Sequence, residues 1–466
     1  MKANNNANGV DAPARGERHY AAIWRWHFYA GLIVIPYFLI AALTGLVMAV
    51  KGPVEAVAYR DLLFVSPAVH SLPPSVQLAA VKTAYPHSDV TAYITPPAKN
   101  RSSRFMVSAH HGGGGHEESH QPAKSITVFV DPYTAYVLGA LDEAKTPYAI
   151  AKKIHGTLMI GLAGDYLIEV LAGFGVIMLV TGLYLWFSRD RARFVEALAP
   201  RIRKFDRLGW RSLHASLGVW LSIVLLFFLI SGLSWTPFWG GKLTQAWSTF
   251  PSERFRAPVA AETHETLNHE GMKEMPWALE QTALPVSTRG ADGTPPSLDS
   301  VAACARLSGF TGFRIFLPKD QRGAWTVSAV TMSGDIADPR RDRTMHIDQH
   351  SGKVLADVRF SDYSIYGKAM AAGVSLHQGS AGPLNVALNV AFCFAIIVMI
   401  VSGAIMWWLR RPEKGMRLAL PPPPRDRRQL VRAGLAVFAV SLVVPLTAVA
   451  VAVIFAADLL AFSQKR

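Results

Sequence analysis

Four histidines of this chain stand in two matched pairs, His27 with His214 and His155 with His377. A neutral imidazole is the commonest side-chain ligand for a transition metal. A haem iron held on both faces needs two of them, from different elements, at one depth and facing each other. The pairing is read from spacing. His27 is followed by Gly31, Thr44 and Gly45 at +4, +17 and +18, and His214 by Gly218, Ser231 and Gly232 at the same offsets. His155 precedes Gly182, Trp186 and Arg189 by 27, 31 and 34 residues; His377 precedes Gly403, Trp407 and Arg410 by 26, 30 and 33, so one deletion aligns the two. A lone interfacial histidine is ordinarily a snorkelling or hydrogen-bonded side chain. The two-by-two duplication is what points instead to two bis-histidine haems.

No Cys-x-x-Cys-His occurs, so each haem would be b-type, held by side chains without covalent attachment. Of the two cysteines, Cys304 is expected in an outer loop and Cys393 inside a helix, a separation that disfavours a disulfide. Arg25 and Arg211 lie beside the first pair, where haem propionates or interfacial anchoring explain them equally well. Gly45 and Gly232, five helical turns beyond His27 and His214, put small residues where a macrocycle or a neighbouring helix can approach closely. Trp24, Trp210, Trp186, Trp407 and Trp408 read as interfacial belt residues. A tract from His110 to His120 offers four imidazoles and two carboxylates to a divalent ion, or is a solvated insertion.

These residues must be positioned by membrane helices. Residues 23–50, 167–187, 213–238, 384–409 and 433–462 are apolar and long enough to cross a hydrocarbon core of about 30 Å, and lipid leaves helix as the default form. Three segments, 1–26, 188–211 and 410–432, hold 20 Lys and Arg against 7 Asp and Glu, a net +13 of the chain's +14. Five crossings put all three on one side, the positive-inside pattern. This places the N-terminal tail 1–22 in the cytoplasm, the C-terminus outside, and two large loops, 51–154 and 239–376, in the periplasm of a bacterial inner membrane. The basic charge is thereby assigned to topology and lipid, and a nucleic-acid partner is disfavoured. His27 and His214 fall at the cytoplasmic starts of their helices. His155 and His377 fall at the outer starts of segments 155–187 and 377–409, where Gly161, Gly164, Gly379 and Gly382 are positioned to break the helix.

The outer loops repeat too. Each reads as a helix (74–85 and 298–307) and four short strands, near 90–94, 104–107, 126–130 and 135–141 in the first copy and 313–317, 325–330, 344–347 and 354–358 in the second. Asp131 and Asp348 open the last turns, where a side-chain oxygen bonds the backbone ahead. Ala135 stands where the second copy has Gly352. The expected architecture is therefore five transmembrane helices, four of them in an internal repeat, with two periplasmic α+β modules; residues 239–296 read as an irregular lid.

The duplicated outer modules, the Trp-Arg-x-His or Leu-His at helix starts, and the Thr/Ser-Gly followed by Trp at helix ends resemble the PepSY-associated transmembrane proteins over about residues 24–412. Within that family the chain is similar to the iron-uptake branch that includes inner-membrane di-haem ferric-siderophore reductases. The resemblance implies PepSY-like modules outside and an oxidoreductase that reduces a ferric siderophore in the periplasm. No nicotinamide or flavin fingerprint is visible, so electrons would come from quinol or a cytoplasmic donor. The competing expectation is a non-catalytic membrane module binding a periplasmic peptide, protease or envelope partner, since fold alone does not fix function.

Overall fold

The computed structural model describes residues 17–109, 125–187, 198–202, 204–268, 273–288, 294–411, 420–421, 424 and 426–463; the histidine tract 110–120 lies outside them. In chain order the helices are α1 (Glu17–Ala49), α2 (Lys51–Ala58), α3 (Arg60–Leu63), α4 (Pro74–Ala84), α5 (Pro147–Thr157) and α6 (Leu162–Phe187). They continue as α7 (Arg207–Leu233), α8 (Leu298–Leu307), α9 (Ile365–Gln378), α10 (Pro383–Trp408), α11 (Arg427–Ser441) and α12 (Pro445–Ser463). The strands are β1 (Ser88–Ile94), β2 (Ser103–Ala109), β3 (Ser125–Val130), β4 (Val137–Leu141) and β5 (Val259–Thr263). After these come β6 (Ala283–Pro285), β7 (Arg314–Phe316), β8 (Ala324–Ala329), β9 (Arg343–Asp348) and β10 (Val354–Arg359).

The chain folds as two units. The first comprises Met1–Leu43, Thr157–Trp239 and Ala391–Arg466. Its frame comes from α1, α6, α7 and α10, four helices apolar enough to cross a membrane, the shortest of 26 residues. At about 1.5 Å per residue such a helix reaches about 39 Å, more than a hydrocarbon core requires. Asp206 starts α7 by accepting the N–H groups of Leu208 and Gly209 at 3.0 and 2.9 Å, two of the donors a helix start leaves unpaired. Trp26, Val34, Phe38, Phe174, Ile177 and Leu233 form the packed core of the unit. Glu169, fully buried on α6, accepts the backbone N–H groups of Phe238 (3.1 Å) and Trp239 (3.2 Å). Those donors open a wide helical turn over Pro237–Thr244 and carry its positive end, which meets the side-chain oxygens of Glu169.

The expected fifth span, 433–462, is corrected by the structure. It is two helices, α11 and α12, parted at residues 442–444, where Pro445 has no N–H to continue the ladder and starts a new helix instead. They fold back on each other: a Cβ at Gly434 would meet the Phe455 ring at 2.1 Å, so only glycine admits the ring. Both pack on α6, with Thr447 against Gly173 and its hydroxyl bonded to the Val170 carbonyl at 3.1 Å. Arg25, near the start of α1, then reaches both ends of the hairpin: it bonds the Pro421 carbonyl before α11 and the Asp458 carboxylate late in α12. Asp458, late in α12, therefore lies beside the first turns of α1, not at the far end of a single span as expected.

The second unit comprises Thr44–Gly156 and Gly240–Val390. Both expected helix-and-four-strand repeats are present, but they are not separate modules. Their strands make one antiparallel eight-stranded sheet in the order β10-β9-β8-β7-β1-β2-β3-β4, joined where Ala92, Tyr93 and Ile94 pair with Phe316, Ile315 and Arg314. Helices α4 and α8 share the core with the sheet, through Val81, Val301, Ala305, Phe105, Ile315 and Met345. The Asp299 carboxylate of α8 ties α4 by accepting the Ser75 N–H at 2.8 Å. At the two matched turns Asp131 takes the Tyr133 N–H and Asp348 those of His350 and Ser351, each at 2.8 Å. Ala135 holds φ +58° where Gly352 holds +71°, a left-handed backbone that costs a residue with a Cβ roughly 1–2 kcal/mol.

The segment read as a lid carries the two-stranded sheet β5–β6 and is anchored on β7. There buried Arg314 pairs with Glu274 at 2.6 Å and Asp335 at 3.0 Å.

Candidate metal centres

The His27 and His214 rings, from α1 and α7, lie with their centres 6.5 Å apart and their planes at 86°. Two metal–nitrogen bonds of about 2.0 Å, with each ring centre about 1.1 Å behind its nitrogen, would put the centres of two imidazoles on opposite sides of one metal ion about 6.2 Å apart. His155 and His377, from α5 and α9, repeat the arrangement at 6.4 Å and 86°. Each unit thus brings together the pair that the spacing predicts, at a separation into which one metal ion would fit.

Hydrogen bonds decide which ring nitrogen faces the gap. His214 Nδ1 lies 3.2 Å from the Met399 carbonyl and 2.9 Å from Ser402 Oγ. A carbonyl only accepts, so Nδ1 carries the proton and Nε2 keeps its lone pair for a metal. Ser402 agrees, because its own hydroxyl hydrogen goes to the Met399 carbonyl at 2.8 Å, leaving its oxygen to accept. On the partner ring, His27 Nδ1 lies 3.0 Å from Thr181 Oγ1, whose hydrogen goes to the Ile177 carbonyl at 2.7 Å. The same tautomer follows. His155 Nδ1 meets Thr44 Oγ1 at 2.9 Å. Fixing one ring nitrogen so that the other can ligate is the usual outer shell of a metal-bound histidine.

Glycines make the room. A Cβ at Gly182 would stand 3.1 Å from His27 Cε1, and one at Gly403 3.5 Å from His214 Cε1, so each imidazole rests on a bare stretch of helix backbone. Gly31, one turn beyond His27 on the same helix face, has nothing within 4 Å of where its Cβ would be. The helix surface beside the His27 ring is therefore not covered by a neighbouring side chain at this position.

The second pair depends on breaks in the chain. Helix α5 stops at Leu158 and Met159, both at positive φ, and Gly161 completes the reversal before α6. Helix α9 stops at Gly379, φ +78°, with Ser380 N–H bonded back to the Ser375 carbonyl at 2.9 Å. Asn389 then donates to the His377 carbonyl at 3.0 Å and Asn385 to that of Leu376 at 3.0 Å, filling acceptors that a helix end leaves open. His155 and His377 therefore belong to short helices of their own, preceding the long ones.

Of the arginines, Arg211 is exposed and three residues before His214, on nearly the same helix face. Arg25 is two residues from His27, about 200° around the helix, and its guanidinium is committed to Asp458, Tyr29 and the Pro421 carbonyl. It therefore ties the C-terminal hairpin and does not face the His27 ring. Thr181, Ser402 and Thr44 carry the ring-orienting role, which the sequence reading did not assign to them. Their signal was available: Thr44-Gly45, Thr181-Gly182, Ser231-Gly232 and Ser402-Gly403 put a hydroxyl before a glycine in all four long helices.

A third histidine pair was not anticipated. His264 and His346 are fully buried in the second unit with ring centres only 5.0 Å apart and Nε2 atoms 3.0 Å apart. His264 Nδ1–H donates to the Thr282 carbonyl at 2.7 Å, so its Nε2 accepts from His346 Nε2–H, and His346 Nδ1 accepts from Thr326 at 2.9 Å. Every nitrogen is used within this chain of bonds. Among the described residues no cluster of three or more His, Cys, Asp or Glu is placed to hold a metal ion.

A polytopic membrane protein built on a duplicated helix–module–helix unit, with matched histidine pairs, is the class that fold and site define. The family described as the PepSY-associated TM region matches residues 24–410, most of the chain, and the chain belongs to it. No curated protein matches it.

Proposed function

We propose that this chain is a di-haem electron carrier of the bacterial inner membrane that reduces a ferric siderophore, or a similar Fe(III) chelate, in the periplasm for iron uptake. The observation that supports the reading best is the spacing of 6.5 and 6.4 Å in two histidine pairs, in the first of which both Nδ1 atoms are committed as donors and both Nε2 atoms keep their lone pairs. When bound, b-type haems supply one-electron redox chemistry. The chain's own residues hold the rings (His27, His214, His155, His377) and set their tautomers (Thr181, Ser402). With the basic segments in the cytoplasm, His27 and His214 are on the donor side and His155 and His377 on the substrate side. Hard oxygen chelators favour Fe(III), so adding one electron per iron weakens the complex and releases Fe(II).

The test is reoxidation of dithionite-reduced, purified protein by ferric siderophores, followed by haem absorbance in wild type and His377→Ala. Rapid reoxidation of wild type with a large loss in the variant is expected. If no ferric complex reoxidises the wild type, the reductase reading fails even with both haems present.

A further inference from the structure

On the Nδ1 side of His27, helices α1, α6 and α11 leave a cleft of about 370 Å³. That lies within the roughly 300–1,000 Å³ of small-molecule sites. Its walls are aliphatic, with Ile177, Val180 and Val437 among them, and its polar groups gather at one end. His19 is in the first turn of α1, Tyr184 in the last turn of α6 and Arg432 in the second turn of α11, the end at which the basic segments lie. Thr181 lines the same cleft, and its hydroxyl is the one that accepts from His27 Nδ1–H. A single hydrogen bond therefore joins the cleft wall to the back of a proposed haem ligand.

An occupant must bring an apolar body for the aliphatic walls and a polar head that exchanges hydrogen bonds with imidazole, phenol and guanidinium. A phospholipid meets Arg432 and the walls but makes no use of a site backed against a redox ligand. We propose that the cleft is a quinol-oxidising site, an assignment that rests on the redox reading above. Oxidation breaks the two O–H bonds of the quinol. Both protons leave by way of the His19 ring to water on the basic side. The two electrons leave one at a time past Thr181 and His27, and reduce two ferric chelates, each from Fe(III) to Fe(II).

Two measurements test this on the full-length protein in detergent. The first is photolabelling with an azido-ubiquinone analogue and peptide mapping, which does not depend on haem. Label confined to 19–23, 177–184 and 432–440, displaced by decylubiquinone but not by phosphatidylglycerol, is expected; label spread over all long helices, or displaced equally by the lipid, makes this a lipid groove and overturns the proposal. The second compares reduction by decylubiquinol with reduction by dithionite in wild type and in Val180→Trp, which fills the cleft. At least a tenfold slower quinol reaction with unchanged haem content is expected, and equal quinol rates overturn the site. Absence of any dithionite-reducible haem would be seen separately and would sink the redox reading itself.

Discussion

The His27–His214 pair and the His264–His346 pair are built from the same two side chains, yet one is held open at 6.5 Å and the other closed at 5.0 Å. The difference lies in what binds Nδ1. In the open pair both Nδ1 atoms are taken as donors by Thr181 and by Ser402 with the Met399 carbonyl. Both Nε2 atoms are then lone pairs, and two lone pairs cannot bond each other without something between them. In the closed pair the Thr326 hydroxyl donates to one Nδ1 while the Thr282 carbonyl accepts from the other, so one Nε2 is a donor and the two rings bond directly. Proximity of two histidines is thus a weak sign of a metal. The sense of the hydrogen bonds behind them is a stronger one.

The largest effect that sharpens this comparison is loss of a ring. His27→Ala and His214→Ala should each remove about half the haem, with the remainder still reducible by dithionite, whereas His264→Ala should leave haem content whole. A pyridine haemochrome assay decides it, and unchanged haem in both first variants ends the assignment. A smaller effect is expected where the ring stays and its orienting hydroxyl goes. Thr181→Val and Ser402→Ala should weaken haem retention by about 10–100-fold, the usual cost of losing an outer-shell partner. Competition with apomyoglobin measures this, and wild-type retention would show that the hydroxyls are only packing groups.

The smallest effect separates the closed pair by pH. Burial lowers His264 from 6.5 to about 4 and holds His346 lower still than an ordinary imidazole, helped by the neighbouring ring. The unfolded chain then binds more protons than the folded one below pH 6.5, so the pair's contribution to stability is intact above 6.5 and is lost progressively as pH falls toward about 4. Thermal melting of the protein should show Tm falling over that window, with a shallower fall in a His264→Phe, His346→Leu double variant. An equal slope in the variant would assign the acid sensitivity to other groups.

Most helices and strands were legible because turn residues and periodicity announce them locally; α8, for instance, runs over 298–307 as expected. What escaped was long-range or directional. The β1–β7 seam joins residues some 220 positions apart, and three backbone pairs leave no mark in either strand's sequence. Residues 433–462 are apolar enough to cross a membrane, so hydropathy counts one helix, and only Pro445 and the glycine opposite Phe455 record the reversal. Arg25 was assigned to the histidine site by its place in the sequence, but a step of two residues turns a helix to nearly its far side. The histidine pairs were legible for the converse reason. Duplication prints the same geometry twice, and coincident offsets survive without any knowledge of depth or angle.

That duplication bears on ancestry. Each open pair takes one ring from each half of the chain: His27 and His155 precede the second copy, and His214 and His377 belong to it. A gene encoding only one half would make a polypeptide with a single ligand at each centre, unable to close a bis-histidine site alone. It would do so only as a two-fold dimer, with the sheet continuing across the β1–β7 edge. If the proposed haems were bound at that stage, cofactor capture and self-association would have been one event, which gene fusion then made permanent.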